Sequence, residues 1–357
     1  MSKKVIIGLS GGVDSAISAY LMQQQGYDVH GVFMHNWHDD ENHCTSAEDK
    51  QQVHLVGEHL DIPTEVIDFS DAYQDRVFEH MLTSLQQGYT PNPDVLCNQE
   101  IKFQALLEYA LNQQADALIT GHYATLIAEN NHHYLKQGVD PNKDQSYFLC
   151  RIPKNALSKI HFPLGKLHKP EVRRLAEKIN LPNAQRKDST GICFIGNRKF
   201  DDFIRQYLLD KPGPIQDTSG KTIGQHNGLF YHTIGQRKGL KIGGGFGDLD
   251  SPWYVVAKDI TTQTITVAQG KDHPALFKKQ LNAVDMHWLY PAPGKSFTAQ
   301  AKIRHRQPDQ ACNVTVDSQD PNRLEVTFDQ PQRAITPGQY IVLYQDQRCL
   351  GGALITE

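Results

Sequence analysis

Residues 8–15 read GLSGGVDS, directly after the apolar run Val5-Ile6-Ile7 and before a stretch with helical spacing. A strand that enters a glycine-rich turn and then a helix offers backbone N–H groups and a positive helix end to an anion. Gly11 and Gly12 let phosphate oxygens approach closely, and Ser10 and Ser15 add hydroxyl donors. The lysine that ends a G-x-x-x-x-G-K-S/T loop, and grips the β- and γ-phosphates, is missing. A loop without it can hold pyrophosphate as a leaving group, with the chemistry at the α-phosphorus. Asp14 alone would repel phosphate, so it is expected to bind magnesium or to cap the helix.

Two cysteines have neighbours that could assist chemistry. Cys97 lies in TPNPDVLCNQEIKF (90–103), preceded by two prolines and Asp94 and expected just before a helix. A thiol near a helix N-terminus has a lowered pKa. Asp94, three residues upstream, can relay a proton if the loop folds back. Cys193 lies in KDSTGICFIG (187–196), after a glycine and before an apolar pair, as in a loop entering a strand. Cys150, Cys312 and Cys349 are expected to be small buried hydrophobes. The segment HNWHDDENHC (35–44) gathers His35, His38, His43 and Cys44 beside three acids. It lacks a tetrahedral ligand spacing, so it is read as a polar loop and no metal is assigned. The pair His132-His133 is placed in a polar hairpin turn.

These residues need elements to hold them. Val5–Leu9, Val29–Met34, Thr64–Phe69 and Ala117–Thr120 read as strands. Helices are expected after Gly12 up to Gly26, over 45–60 with a capping box from Thr45, over 71–86 and over 98–113. Such alternation implies a doubly wound parallel α/β sheet, with ligands beyond the carboxyl ends of the strands. Gly8–Ser15, Met34 and Gly121 all fall at such ends. Residues 168–180 and 199–209 still read as helical. From about Gly213 the chain turns to short strands, including a hairpin of Trp253–Ala257 with Thr264–Ala268. Further strands are expected at 297–304, 312–317, 323–328 and 340–344. Three domains follow: an α/β domain (1–200), a central β-rich domain (201–276) and a C-terminal β-barrel (277–357), the first of which the resemblance below makes the ATP-binding catalytic domain.

Composition narrows the class. The 357 residues are too many for one small core. No apolar run approaches the ~20 residues that span a bilayer, and the N-terminus lacks a secretory pattern, so a cytoplasmic protein is expected. The six cysteines form no C-x-x-C pair, which argues against a simple cluster. Net charge is −4, unlike a generally basic nucleic-acid binder. Local basic clusters occur at Lys169, Arg173, Arg174, Lys178, Arg186 and Lys187, at Arg198 and Lys199, at Arg237, Lys238 and Lys241, and at Lys302, Arg304 and Arg306. Together they point to a large anionic partner, with a basic cleft in an acidic body.

The loop SGGVDS resembles that of the PP-loop ATP pyrophosphatases. The fuller set closely resembles the tRNA-specific 2-thiouridylase (MnmA) family: GVFMHNW (31–37), TPNPDVLCNQEIKF (90–103), TGHYA (120–124), KDQSYFL (143–149), FPLG (162–165), DSTGICFIG (188–196), YHTIGQRKGL (231–240), KIRHRQ (302–307) and TPGQY (336–340). That resemblance implies a tRNA-uridine 2-sulfurtransferase. ATP adenylates oxygen 2 of the wobble uridine, and a persulfide sulfur then displaces AMP. It implies that Gly8, Leu9, Ser10, Gly11, Gly12, Val13, Asp14, Ser15, Met34 and Gly121 bind ATP, with Mg2+. Cys193 would carry the persulfide, Cys97 would attack it and form a transient disulfide, and Asp94 would be the acid/base. Asn92, Pro93, Asp94, His122, Lys143, Asp144, Gln145, Arg304, His305 and Gln339 would meet tRNA. A sulfur-relay protein is the implied donor, and a monomer is expected. His35 stands where a lysine is common, and His305 where a tyrosine is common. The alternative is a PP-loop ligase for a small molecule, which needs neither Cys97 nor Cys193. A non-catalytic RNA binder switched by nucleotide would be indifferent to both thiols.

Overall fold

The structure, a computed structural model, describes residues 2–38, 46–130, 132–188, 198–242 and 251–356. Thr45, His43, Cys44 and Cys193 lie outside the described residues.

The first sheet is parallel and ordered β3-β2-β1-β4-β7, from β1 (Lys4–Gly8), β2 (Asp28–His35), β3 (Thr64–Asp68), β4 (Ala117–Ile119) and β7 (Ile160–His161). Val5, Ile6 and Ile7 are all buried, because β1 is covered on both faces. After β1 the chain builds outward to β2 and β3, then returns to the other side of β1 for β4. The order therefore reverses between β1 and β4, the crevice where open α/β sheets take ligands. Helix α1 (Val13–Gln24) begins there. It ends in a paired cap, with Gly26 N–H on Gln23 O at 2.8 Å and Tyr27 N–H on Met22 O at 3.2 Å.

Two helices differ from expectation. The helix over 70–86 contains a π-turn at Gln74–Phe78. The next starts at Pro93, five residues earlier than its spacing suggested, and runs to Asn112 with a wide turn at Cys97–Leu106. Proline suits the first helical position because its missing N–H would have had no partner there. The hairpin expected around His132-His133 is formed by β5 (Ala124–Glu129) and β6 (His132–Gln137), but both histidines lie in β6 rather than in the turn. Expected helix 199–209 shortens to Phe200–Ile204.

A four-stranded sheet β10-β11-β8-β9 follows, from β8 (Gly213–Asp217), β9 (Thr222–His226), β10 (Trp253–Asp259) and β11 (Thr264–Gln269). The last strands are β12 (Phe277–Trp288), β13 (Ser296–Lys302), β14 (Gln310–Val316), β15 (Leu324–Arg333), β16 (Tyr340–Gln345) and β17 (Arg348–Ile355). They close a barrel, because β12 also pairs with β17. The hairpin β5–β6 extends it, pairing Lys136 with Arg348. One core joins the units: Phe103, Leu118 and Ile160 pack with Tyr340, Val342 and Cys349. Cys150, Cys312 and Cys349 are buried, and desolvation pushes the Cys150 and Cys312 thiols up to about 12. No helix among the described residues is long and apolar enough to cross a membrane.

Candidate active site beyond β1

The loop is built as a phosphate cradle. Gly12 caps α1 without any side-chain hydrogen bond, so the first-turn N–H groups are left to a ligand. Gly11 has φ +74°, and a Cβ there would lie 2.8 Å from Asp49 O. Ser15 Oγ accepts from Ser10 N–H at 3.2 Å and donates to Gly12 O at 3.1 Å, which closes the turn. Gly121, after β4, seats so tightly on α1 that a Cβ would lie 2.8 Å from Ser15 N. Leu9 and Val13 are buried in the core beneath the loop, Met34 is half-buried near the end of β2, and Leu9 N–H binds Val32 O at 2.8 Å. These residues fit a nucleotide phosphate.

Asp14 neither caps α1 nor presents a vacant carboxylate. Both its oxygens accept from Lys169 Nζ at 2.8 Å, and Tyr123 OH donates to Oδ1 at 2.7 Å. Lys169, on the helix Lys169–Lys178, also meets Asp188 at 2.7 Å. Asp188 is bound in turn by Lys143 at 2.6 Å and Arg173 at 2.7 Å. Desolvation alone would raise the Asp188 pKa. The hydrogen bonds and charges of Lys143 and Lys169 outweigh it and bring the group to about 2. Arg186 donates to Gly11 O at 3.1 Å and pairs with Asp49 at 2.6 Å, while Asn183 donates to Gly11 O at 3.0 Å. A strap over 183–188 thus lies across the loop. Lys169, Arg173 and Arg186 were read as holders of an anionic partner; here they bind Asp14 in the loop and Asp188 and Asp49 around it. With Asp14 engaged in this way, magnesium has no ready ligand in it.

The second half of the site is the helix start around Asp94 and Cys97 where the barrel docks; for short, the recess. Cys97 is buried among Tyr73, Phe78, Met81, Phe203 and Phe230. It lies one turn inside its helix, not ahead of it, so the N-terminal dipole acts on it less than expected. Asp94, in the first turn, is exposed but ringed by protein. That desolvation raises its pKa, against the opposing pull of Lys102 and His305. Pro93 is buried at the helix start, and Asn92 Nδ2 donates to Gln339 Oε1 at 3.4 Å. Gln339 Nε2 donates to Thr90 O at 2.8 Å, and Thr90 N–H to Pro337 O at 2.9 Å. Gly338, at φ +90°, permits this docking, since a Cβ would lie 2.8 Å from Thr90 N.

The remaining expected tRNA positions divide into presented and inward-turned groups. Arg304 is exposed. His305 is half-buried, its Nε2 3.0 Å from Asp144 O and its ring 4.4 Å from that of Phe148. Gln145 accepts from Tyr123 N–H at 3.0 Å. Asp144 is buried: Oδ1 accepts from Gly138 and Ser146 N–H, and Oδ2 meets Lys302 at 3.1 Å. His122 is buried between Phe103 and Phe162, bonded to Thr120 at 2.8 Å, and desolvation holds its pKa well below the usual value. In this conformation Asp144 and His122 shape the wall rather than face a ligand.

Sheet order, loop and strap define an ATP-using PP-loop enzyme. Residues 3–197 match the family described as tRNA methyl transferase HUP domain, 201–269 the tRNA methyl transferase PRC-barrel domain and 278–355 the aminomethyltransferase beta-barrel domain. The chain belongs to the tRNA-specific 2-thiouridylase MnmA family. The relative from Hydrogenovibrio crunogenus is 52% identical, covering 99% of this chain and 94% of its own. That from Hahella chejuensis is 51% identical (99% and 97%), and MnmA 1 of Geobacillus kaustophilus 50% (99% and 96%). A solved 4-thiouridine synthetase–RNA complex with bound ATP aligns loosely, at 14% identity over 57% of this chain and 49% of that one, with TM-score 0.37.

Proposed function

We propose that the protein is an ATP-dependent tRNA 2-thiouridylase acting on the wobble uridine. One observation carries this reading: the barrel segment at Gln339 is hydrogen-bonded to Thr90, Pro91 and Asn92, which sets the barrel against the start of the helix that carries Asp94 and Cys97 on the nucleotide-binding domain. The loop N–H groups bind pyrophosphate as it leaves, and uracil oxygen 2 takes the α-phosphorus to give a uridine adenylate. Lys169 supplies the cation that the loop itself lacks, reaching Asp14 from 155 residues away. Magnesium would come with the phosphates; Asp14 would hold it only by giving up Lys169.

In the sulfur step, Cys97 thiolate attacks the inner sulfur of a Cys193 persulfide, forming the Cys97–Cys193 disulfide and releasing hydrosulfide. Hydrosulfide adds to C2 of the adenylate and AMP leaves with the oxygen. In the direct variant, the terminal persulfide sulfur adds to C2 first and Cys97 then cleaves the S–S bond. Both leave a disulfide that a reductant outside this chain must reopen. Asp94, with its raised pKa, is suited to take and return a proton near the base. The described residues nearest Cys193 in sequence support the pairing. Asp188, five residues before, joins the network over the loop. Arg198, five residues after, stacks 4.6 Å from the Phe203 ring beside Cys97. Five residues reach at most about 18 Å.

The target base must leave its stack to enter the recess. In this reading Asn92, Gln145, Arg304, His305 and Gln339 would receive it, and Lys143 would turn from Asp188 to phosphate. A persulfide-relay protein as donor, a cytoplasmic monomer and the three-domain division at 200 and 276 complete the reading. The test is incubation with ATP, magnesium, a persulfide donor and unmodified tRNA, followed by nucleoside mass spectrometry. We expect 2-thiouridine, AMP and pyrophosphate, with thiolation lost in Cys97→Ser and Cys193→Ser. AMP released without thiolated base would instead favour the small-molecule ligase.

A further inference from the structure

His35, His38 and Asp68 stand apart from every group used above, yet they converge. His35 ends β2 and Asp68 ends β3, and the parallel register sets them side by side. Phe69 N–H on His35 O at 2.8 Å fixes the two strand ends. His38 follows three residues later and turns back over them. Its Nδ1 lies 3.1 Å from His35 Nε2, and its Nε2 lies 3.2 Å from Asp68 Oδ2. Ser70 N–H and Oγ donate to Asp68 Oδ1 at 2.8 and 2.6 Å, which aims Oδ2 at His38. One donor atom from each of the three residues lies within 4.8 Å of the others.

Two imidazole nitrogens facing each other at this distance must share either a proton or a cation. Ligand atoms on a tetrahedron of ~2.0 Å zinc bonds lie ~3.3 Å apart, so the gap already has that scale. His38 meets its two neighbours through different nitrogens, and one ion needs it to choose one. The ring is 69% exposed, so it can turn to do so. The Ser70 contacts are of the kind that orient a carboxylate ligand from behind.

We propose that His35, His38 and Asp68 form a binding site for a divalent transition metal, zinc in the first instance. Three protein ligands leave at least one coordination position open. Imidazole and carboxylate together favour zinc, cobalt or nickel over magnesium. The site lies on the carboxyl edge of the sheet, one residue beyond Met34. The sequence reading, which assigned no metal, had no means of bringing Asp68 to the two histidines.

The test uses full-length protein stripped with a chelator, then titrated with zinc against a chromophoric competitor. His35→Ala, His38→Ala and Asp68→Asn should each weaken one zinc equivalent more than about tenfold. His54→Ala should not, although His54 also pairs with a carboxylate, Glu58, at 3.2 Å. Cobalt separates this equivalent from any cysteine-bound one, because its spectrum should lack thiolate charge-transfer bands. Zinc should also raise the melting temperature of the wild type and His54→Ala, but not of the other three variants. Because that shift is read within each variant, it decides the matter even where a substitution lowers stability. Equal zinc affinity in wild type and His38→Ala, or a thiolate spectrum for the affected equivalent, would overturn the proposal.

Discussion

The loop after β1 and the recess beside Cys97 treat their carboxylates in opposite ways. At the loop, Asp188 is held by three cations and its pKa is pushed down to about 2. At the recess, Asp94 is desolvated and its pKa is raised. The first group is fixed as a charge and organises other groups. The second is brought nearer to protonation, where it can exchange a proton. The two halves thus separate holding from reacting: the polyphosphate end is ordered before ligand arrives, while the base end leaves an acid facing the space to be filled.

Breaking the loop side should cost most. Lys169→Met leaves Asp14 and Asp188 as adjacent charges where polyphosphate must bind. Pyrophosphate release in a single turnover should fall about 10²–10³-fold, as when one preorganised transition-state donor is removed. Filter-bound tRNA should stay within about twofold, and a matching loss of tRNA binding would merge the two regions. On the recess side, Lys302→Met strands the buried Asp144 beneath His305. It should destabilise the fold by ~3 kcal/mol in denaturant titration, as for other broken buried pairs. Gly338→Ala strains a backbone at φ +90° and presses on Thr90. Expected are a loss of ~1–2 kcal/mol and a raised KM for tRNA with an unchanged KM for ATP.

The smallest effect is the most diagnostic, because it is a sign. Asp188 has a folded pKa below its ordinary 3.8, so its stabilisation is present above that value and fades as pH falls toward about 2. Asp188→Asn should therefore be less stable than wild type near neutral pH and converge with it in acid. Asp94 has a folded pKa above 3.8, so its contribution is lost as pH rises through that folded value. Asp94→Asn should gain on wild type as pH rises. Parallel slopes in urea titrations over acid to neutral pH would erase the distinction between the regions.

Local chemistry made the loop side readable in advance. An apolar run, a glycine turn and helical spacing all lie within 20 residues, and the strand alternation that sets the switch point follows the same short-range rules. What stayed hidden was long-range. Lys169 looked like one member of a basic surface cluster until folding set it on Asp14, and Gln339 reaches Asn92 across 247 residues. The helix start at Pro93 was missed because its first turn, PDVL, carries too few apolar positions to show a period. Strands β12 and β17 escaped for different reasons. FKKQLNAVDMHW is half polar and opens with the polar run KKQ, which spoils strict alternation, and RCLGGALI breaks its pattern with two glycines. One glycine, Gly351, meets β12 so closely that a Cβ would strike His287 O.

Hydrogen bonding that runs from β6 into β17 has a mechanical corollary. Besides the strand pairing, Gln137 N–H binds Gln347 O at 3.0 Å, Gln137 Nε2 binds Asp309, and Arg348 grips Glu129. With a shared core behind that seam, the barrel is a bracket welded to the nucleotide domain rather than a jaw on a hinge. Any swing of the barrel away from Asn92 would first have to break that seam.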